Sequence, residues 1–206
     1  MFSMILLNQI KKNEGLTHRS MTEGFTLIET LVAISIFTIS ILGLLIVLGQ
    51  GISNTNYAKQ KIIASYLAQE GIEYMRNMRD TFVLYDASGV QAGWNAFNAK
   101  IAPAPNTLCA SGDGCYFDDY NLNYTNHLQP MAEISLIACS PSCSSLLYDE
   151  NTGKYGYTTG INSGFIRKIN ATQIANQTKI SSTVYWTQGS GNYNIVFSES
   201  LFNWIE

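Results

Sequence analysis

Gly24-Phe25-Thr26-Leu27-Ile28-Glu29-Thr30-Leu31-Val32-Ala33 opens the stretch around which the rest of this chain is arranged. The apolar residues continue to Leu48, and between Phe25 and Leu48 the one ionisable side chain is Glu29. As a helix these 24 residues would rise roughly 36 Å, against a bilayer hydrocarbon core of about 30 Å. Two other readings carry less weight. A soluble core helix does not need so long an apolar run. A secretory signal peptide has a shorter apolar core closed by a small-residue cleavage site, and no A-x-A-like site follows here. The run is therefore expected to span a membrane. A charged residue at a bilayer centre costs about 2.5–3.5 kcal/mol even on the mildest scales, so Glu29 calls for a function.

At these residues the sequence resembles the processing motif of type IV prepilins and type II secretion pseudopilins. Gly24-Phe25-Thr26-Leu27-Ile28-Glu29 matches it position by position, and Thr30-Leu31-Val32-Ala33 continues it. The resemblance implies that a prepilin peptidase cuts between Gly24 and Phe25, before the apolar run. The same enzyme would then methylate the new amino terminus at Phe25. Glu29 would stand fifth in the mature chain and serve assembly and axial register. Implied partners are the peptidase/methyltransferase, other pilin or pseudopilin subunits, an inner-membrane assembly platform and, before assembly, membrane lipid. The implied function is a structural, non-enzymatic subunit of a pilus-like filament or a secretion pseudopilus. The large head and its cysteines lean toward a minor subunit. The motif does not separate pilus, pseudopilus and competence filament.

The expected fold is α+β. A long N-terminal helix, transmembrane in its first half and amphipathic in its second, packs on a C-terminal antiparallel β-sheet head. Residues 1–24 form the leader, where Lys11, Lys12 and Arg19 outweigh Glu14 and Glu23. Basic residues before a spanning helix favour a cytoplasmic N-terminus, with the head outside the cytoplasm. Residues 25–48 form the transmembrane and filament-core helix. Residues 49–80 continue it, with Gly49, Gly51, Ser53, Asn54 and Asn56 as a soft joint or a loop, since glycine costs about 1 kcal/mol relative to alanine inside a helix. Ile63, Tyr66, Leu67, Glu70, Tyr74, Met75 and Met78 then share one face at i, i+3, i+4 spacing, expected to pack on the head. Glu73 and Arg76, at neighbouring helical positions, read as a solvated pair.

Residues 81–206 form the head, about 126 residues and enough for a core of its own. Pro103-Ala104-Pro105 limits Gly93–Lys100 to a short helical piece. Strands are expected at Ala132–Cys139, Leu146–Tyr148, Tyr155–Thr158, Phe165–Asn170, Lys179–Thr187 and Tyr193–Leu201. Asp149–Lys154 supplies a hairpin turn with a glycine for positive φ. Ile180, Ser182, Val184 and Trp186 share one strand face, and Tyr193, Ile195, Phe197 and Leu201 another. Successive strands on short turns argue for an antiparallel sheet. Phe202 and Trp204 are expected to anchor the tail.

Cys109, Cys115, Cys139 and Cys143 lie in the head, where export favours disulfides. Local pairing, Cys109–Cys115 and Cys139–Cys143, is preferred; pairing across the clusters stays open. The C-x5-C and C-x3-C spacings are irregular for zinc. Asp113, Asp118 and Asp119 read as a solvated acidic turn, with Ca²⁺ as the sharper alternative. Three Asn-x-Ser/Thr triplets, at Asn123, Asn170 and Asn176, are treated as silent. The net charge of −3 gives no case for nucleic acid over the whole chain. No metal or cofactor is expected. His18 and His127 are the only histidines, and no G-x-S-x-G, H-E-x-x-H or Walker A pattern occurs. The competing function is a tip adhesin or ligand-binding head, DNA uptake included.

Overall fold

The computed structural model describes Gly24 and residues 26–103, 107–118, 135–174 and 176–204. The chain divides into two compact units, with the boundary between Gly51 and Ile52. One helix, α1, runs Leu27–Tyr85 and contributes to both.

In the first unit, all fifteen large apolar side chains from Leu27 to Leu48 are exposed. The helix is long and apolar enough to cross a membrane, and none of its most apolar window is buried. Its hydroxyls turn inward on their own backbone. Thr30 donates to the Leu27 carbonyl at 2.8 Å, Ser35 to Leu31 at 2.8 Å, Thr38 to Ser35 at 2.9 Å and Ser40 to Ile36 at 2.7 Å. Such back-bonding keeps a polar group satisfied where the surroundings offer no water. The loop reading of Gly49–Asn56 is corrected, because the helix is unbroken there. With no proline to remove a hydrogen bond, the strong helix formers on either side carry the weak ones.

In the second unit α1 continues to Tyr85, five residues past the expected Asp80. The Thr81 hydroxyl bonds the Asn77 carbonyl at 2.8 Å, and Val83 is buried. An Asx turn at Asp86 and Gly89, at φ 100°, leads into α2, Val90–Ile101. Gly93 lets α2 approach the backbone of Phe82 and Val83; an added Cβ would lie 2.8 Å from Val83 Cα. A 3₁₀ turn, Leu108–Ala110, follows.

Among the described residues seven strands form one antiparallel sheet: β1 Cys115–Asp118, β2 Ser135–Ala138, β3 Ser145–Asp149, β4 Lys154–Gly156, β5 Ile161–Ile174, β6 Gln177–Gln188 and β7 Gly191–Phe202. Strand β5 is the hub. One of its edges pairs with β6 along nine positions; its other partners are β3 near its start and β1 at Ile169. Strand β7 pairs with β6 along its full length. Four of the expected strands lie within β3, β5, β6 and β7; Tyr155–Thr158 is corrected to β4, which ends at Gly156, and β2 covers Ser135–Ala138 of the expected Ala132–Cys139. Strand β1 was not anticipated. The β3–β4 turn takes the expected form, with Gly153 at φ 70°. Asp149 accepts the Asn151 backbone N–H and the Thr152 hydroxyl, which hold its carboxyl below the usual range.

The expected helix face holds at Leu67, Met75 and Met78 and needs correction at Tyr66. The buried residues are Ala64, Leu67, Ala68, Gly71, Ile72, Met75 and Met78, whereas Tyr66 is 68% exposed. The face is centred on small residues, which let helix and sheet come close. Two core clusters result. Ala64, Leu67 and Ala68 pack with Leu146, Phe165, Val184 and Trp186. Ile72, Met75 and Met78 pack with Phe97, Phe117, Ile169 and Ile180. Gly71 marks the seam, where a Cβ would press on Ser182 and sit 3.3 Å from Arg167 Cδ.

Arg167, 3% exposed, is the buried charge at this seam. Its guanidinium bonds Glu70 at 2.6 Å and the Leu67 carbonyl at 3.4 Å, and lies 4.2 Å from the centre of the Phe117 ring. Arg76 also exceeds the solvated pair expected of it. It binds Glu73 at 2.8 Å and Glu199 on β7 at 2.6 Å, and the Glu199 hydrogen bond holds it protonated above its ordinary range. The tail is held by its carbonyls rather than by its rings. Arg79 donates to Phe202 O at 3.0 Å and Trp204 O at 2.8 Å, while Trp204 is half exposed.

The two acidic partners should differ in weight. Glu70→Gln leaves a buried guanidinium short of its counter-charge and should lower stability by about 2–3 kcal/mol. Glu73→Gln acts on a pair open to solvent and should cost less than about 1 kcal/mol. Urea unfolding of the full chain in detergent, followed by tryptophan fluorescence, measures both. Equal losses would contradict the assignment of Arg167 to the seam.

Candidate functional site at the head of the first helix

The candidate site is the start of α1. Gly24 is exposed and precedes the helix, and Phe25 lies outside the described residues. Thr26 is the cap. Its carbonyl accepts the Thr30 N–H at 3.1 Å, and its hydroxyl accepts the Glu29 backbone N–H at 3.3 Å. Thr26-Leu27-Ile28-Glu29 thus follows the S/T-x-x-E pattern of a capping box, with Glu29 at the third helical position. This signal stands in the sequence, and the sequence reading passed over it because it weighed Glu29 only against the membrane.

The cap engages the Glu29 backbone and leaves the carboxylate free. Among the described residues that carboxylate has no hydrogen-bond or ion-pair partner. It lies in the first turn, where the unpaired N–H groups of a helix carry roughly half a positive charge. A carboxylate placed there favours the helix and faces outward for a second positive group. Every hydroxyl of Thr30, Ser35, Thr38 and Ser40 is already engaged. Glu29 is therefore the polar side chain of the span that remains available.

The other singled-out residues lie in the head. Cys109 is joined to Cys115 and Cys139 to Cys143, and no cysteine is free. Cys109 and Cys115 are fully buried and belong to the core cluster of Ile72, Met75 and Met78. Asp113 is an exposed turn residue and Asp118 ends β1, whereas Asp119, His18 and His127 lie outside the described residues. Among the described residues no group of three or more metal-ligating side chains occurs. Of the three Asn-x-Thr triplets, Asn123 lies outside the described residues. The Asn170 amide donates to the Ser111 carbonyl, and Thr178, 1% exposed, donates to Asn98.

A family model described as the prokaryotic N-terminal methylation motif matches residues 19–45. No curated protein and no solved structure gives a significant match. The matched segment contains Gly24, Phe25, Thr26 and Glu29 and ends within the exposed apolar part of α1. The chain carries the N-terminal signature of the type IV pilin and pseudopilin family. The matched segment covers only the start of the chain, and the helix that continues it is long and apolar enough to anchor the chain in a membrane. The match implies processing by a prepilin peptidase and assembly with other pilins.

Thr26→Val keeps the shape of the cap and removes its oxygen. It should weaken the first turn by about 1 kcal/mol, read as roughly fivefold faster hydrogen exchange at the Glu29 and Thr30 amides in micelles. Exchange unchanged from wild type would remove the cap.

Proposed function

We propose that this chain is a minor subunit of a type IV pilus-like filament or a type II secretion pseudopilus. It is inserted in the cytoplasmic membrane with its N-terminus in the cytoplasm and its head outside. The peptidase cuts between Gly24 and Phe25 and methylates the Phe25 amine. An assembly platform then draws the chain out of lipid, and residues 25–48 pack with those of other subunits as the filament core.

The observation that carries this reading is a carboxylate just behind the cut with no partner among the described residues, on an apolar span whose hydroxyls at Thr30, Ser35, Thr38 and Ser40 bond their own backbone. Cleavage creates a charged amine in an apolar setting. Leaving such a charge unpaired costs several kcal/mol, and pairing it offsets much of that cost. Glu29 pairs with the amine of a neighbouring subunit and so sets the axial step. Methylation keeps the charge and adds bulk. Wrong registers leave both charges alone, so the pair acts as specificity more than as affinity.

Two outcomes test it. With Gly24→Val the chain should stay at precursor mass in the membrane fraction; a mature-mass product would overturn the cleavage site. With Glu29→Leu, cleavage and membrane residence should persist while the filament-associated fraction falls at least tenfold. Incorporation equal to wild type would remove the register role.

A further inference from the structure

Strand β7 is an outer edge of the sheet. Its twelve residues pair with β6 along their whole length, from Gly191 opposite Gln188 to Phe202 opposite Gln177, with no bulge. Among the described residues no strand pairs with its other side. In an antiparallel pair, successive residues direct their backbone N–H and C=O groups to alternate sides. Every second residue of β7 therefore offers a donor and an acceptor outward, over roughly 40 Å at about 3.4 Å per residue.

A long free edge is a template for another strand, and proteins blunt such edges with lysine, proline, a bulge or short length. The other two edges are short: β4 has three residues and β2 has four. Strand β7 carries none of these devices. Gly191–Phe202 holds no lysine, arginine or proline, and its one charge, Glu199, is engaged by Arg76 at 2.6 Å. Apolar side chains stand out on it instead. Tyr193 meets Tyr57 of α1 with ring centres 5.0 Å apart, so Tyr193, Ile195 and Phe197 lie on the α1 side. Tyr193 and Phe197 nevertheless stay 37% and 38% exposed. The helix covers β6 and leaves this side of β7 half open. On the opposite face Asn192, Asn194, Val196 and Ser198 are exposed.

Strand direction selects the occupant. Tyr57 meets Tyr193, Arg76 meets Glu199 and Arg79 meets Phe202, so α1 and β7 run side by side in one direction. All pairings in the sheet are antiparallel, which gives β2 and β4 the direction of β7 as well. Copies anchored in parallel through α1 hold all these edges in one direction. Strands β2 and β4 of such a copy reach β7 only in parallel and over four residues at most. Two β7 edges pair antiparallel only if one α1 is reversed. A separate extended segment has no such restriction. Added to β7 it continues the sheet: its apolar side chains cover Tyr193, Ile195 and Phe197, and its polar ones face water beside Asn194 and Ser198. We propose that β7 is a strand-addition site for an extended segment of another protein that alternates apolar and polar residues. Backbone hydrogen bonds give the affinity, and the half-open apolar side gives the selection. The edge belongs to the second unit and depends on neither processing nor assembly.

The test titrates the unassembled full chain, in a zwitterionic detergent, with a blocked peptide of alternating valine and threonine flanked by single lysines. Anisotropy of the labelled peptide and hydrogen exchange over Gly191–Phe202 are read, with empty micelles as the blank. The peptide should bind saturably with a Kd of about 1 mM or tighter, and exchange over β7 should slow at least fivefold. A peptide with two adjacent prolines at its centre keeps the charge and loses the strand, and should bind at least tenfold more weakly. Phe197→Lys and, separately, Val196→Lys should each weaken binding of the first peptide at least tenfold. Circular dichroism establishes that these variants stay folded, and Ile137→Lys on β2 should bind as wild type. Absence of saturation up to roughly 10 mM would overturn the proposal. So would binding that the prolines or the lysines leave unchanged. A chain found dimeric by light scattering and made monomeric by Val196→Lys would also overturn it, by giving the edge to a second copy.

Discussion

Fifteen large apolar side chains between Leu27 and Leu48 are exposed, and that constraint governs the molecule. Burying one such side chain is worth about 1.5–3 kcal/mol, so together they represent tens of kcal/mol. A folded domain is typically stable by only about 5–15 kcal/mol. No rearrangement of the head could offset leaving this surface in water. The first part of α1 therefore requires lipid or the equivalent helices of other subunits. The inward-bonded hydroxyls of Ser35, Thr38 and Ser40 fit both surroundings, since neither supplies water.

The second part of α1 answers to a different rule. Its contact face is built on Ala64, Ala68 and Gly71, flanked by Leu67, Met75 and Met78. Small residues carry little hydrophobic signal, which is why the periodicity of the larger side chains pointed one position away, toward Tyr66. What those residues provide is closeness: the helix sits near enough to the sheet for Arg167 to reach both Glu70 and the Leu67 carbonyl. A buried arginine is tolerable there because Glu70, a carbonyl and the Phe117 ring all face it.

The sheet was legible strand by strand and illegible as a topology. Alternation in Lys179–Thr187 and Tyr193–Leu201 gave β6 and β7; β6 buries one face at Ile180, Ser182, Val184 and Trp186, whereas on β7 only Leu201 is buried and Tyr193 and Phe197 stay exposed. Strand β1 escaped notice because its four residues include a bonded cysteine and end at Asp118, so little alternation is left to read. No local pattern states that β5 pairs with β1, β3 and β6 together. That arrangement depends on contacts between distant segments.

The start of α1 was legible in its chemistry and incomplete in its mechanics. Glu29 stood out as a charge in an apolar run, yet its backbone N–H, held by the Thr26 hydroxyl, gives it a local part as well. The two parts draw on different atoms. The cap uses the backbone N–H of Glu29, and the proposed intersubunit pair would use its carboxylate. A charge at the third helical position already lies in the positive field of the helix end. An amine created one residue before the cap would add to that field, so the carboxylate is held by a rigid turn where positive charge gathers. A glutamate further along the span would meet the same neighbours without the turn that fixes its height. The cap therefore gives Glu29 a defined axial position, which a register device needs beyond its charge.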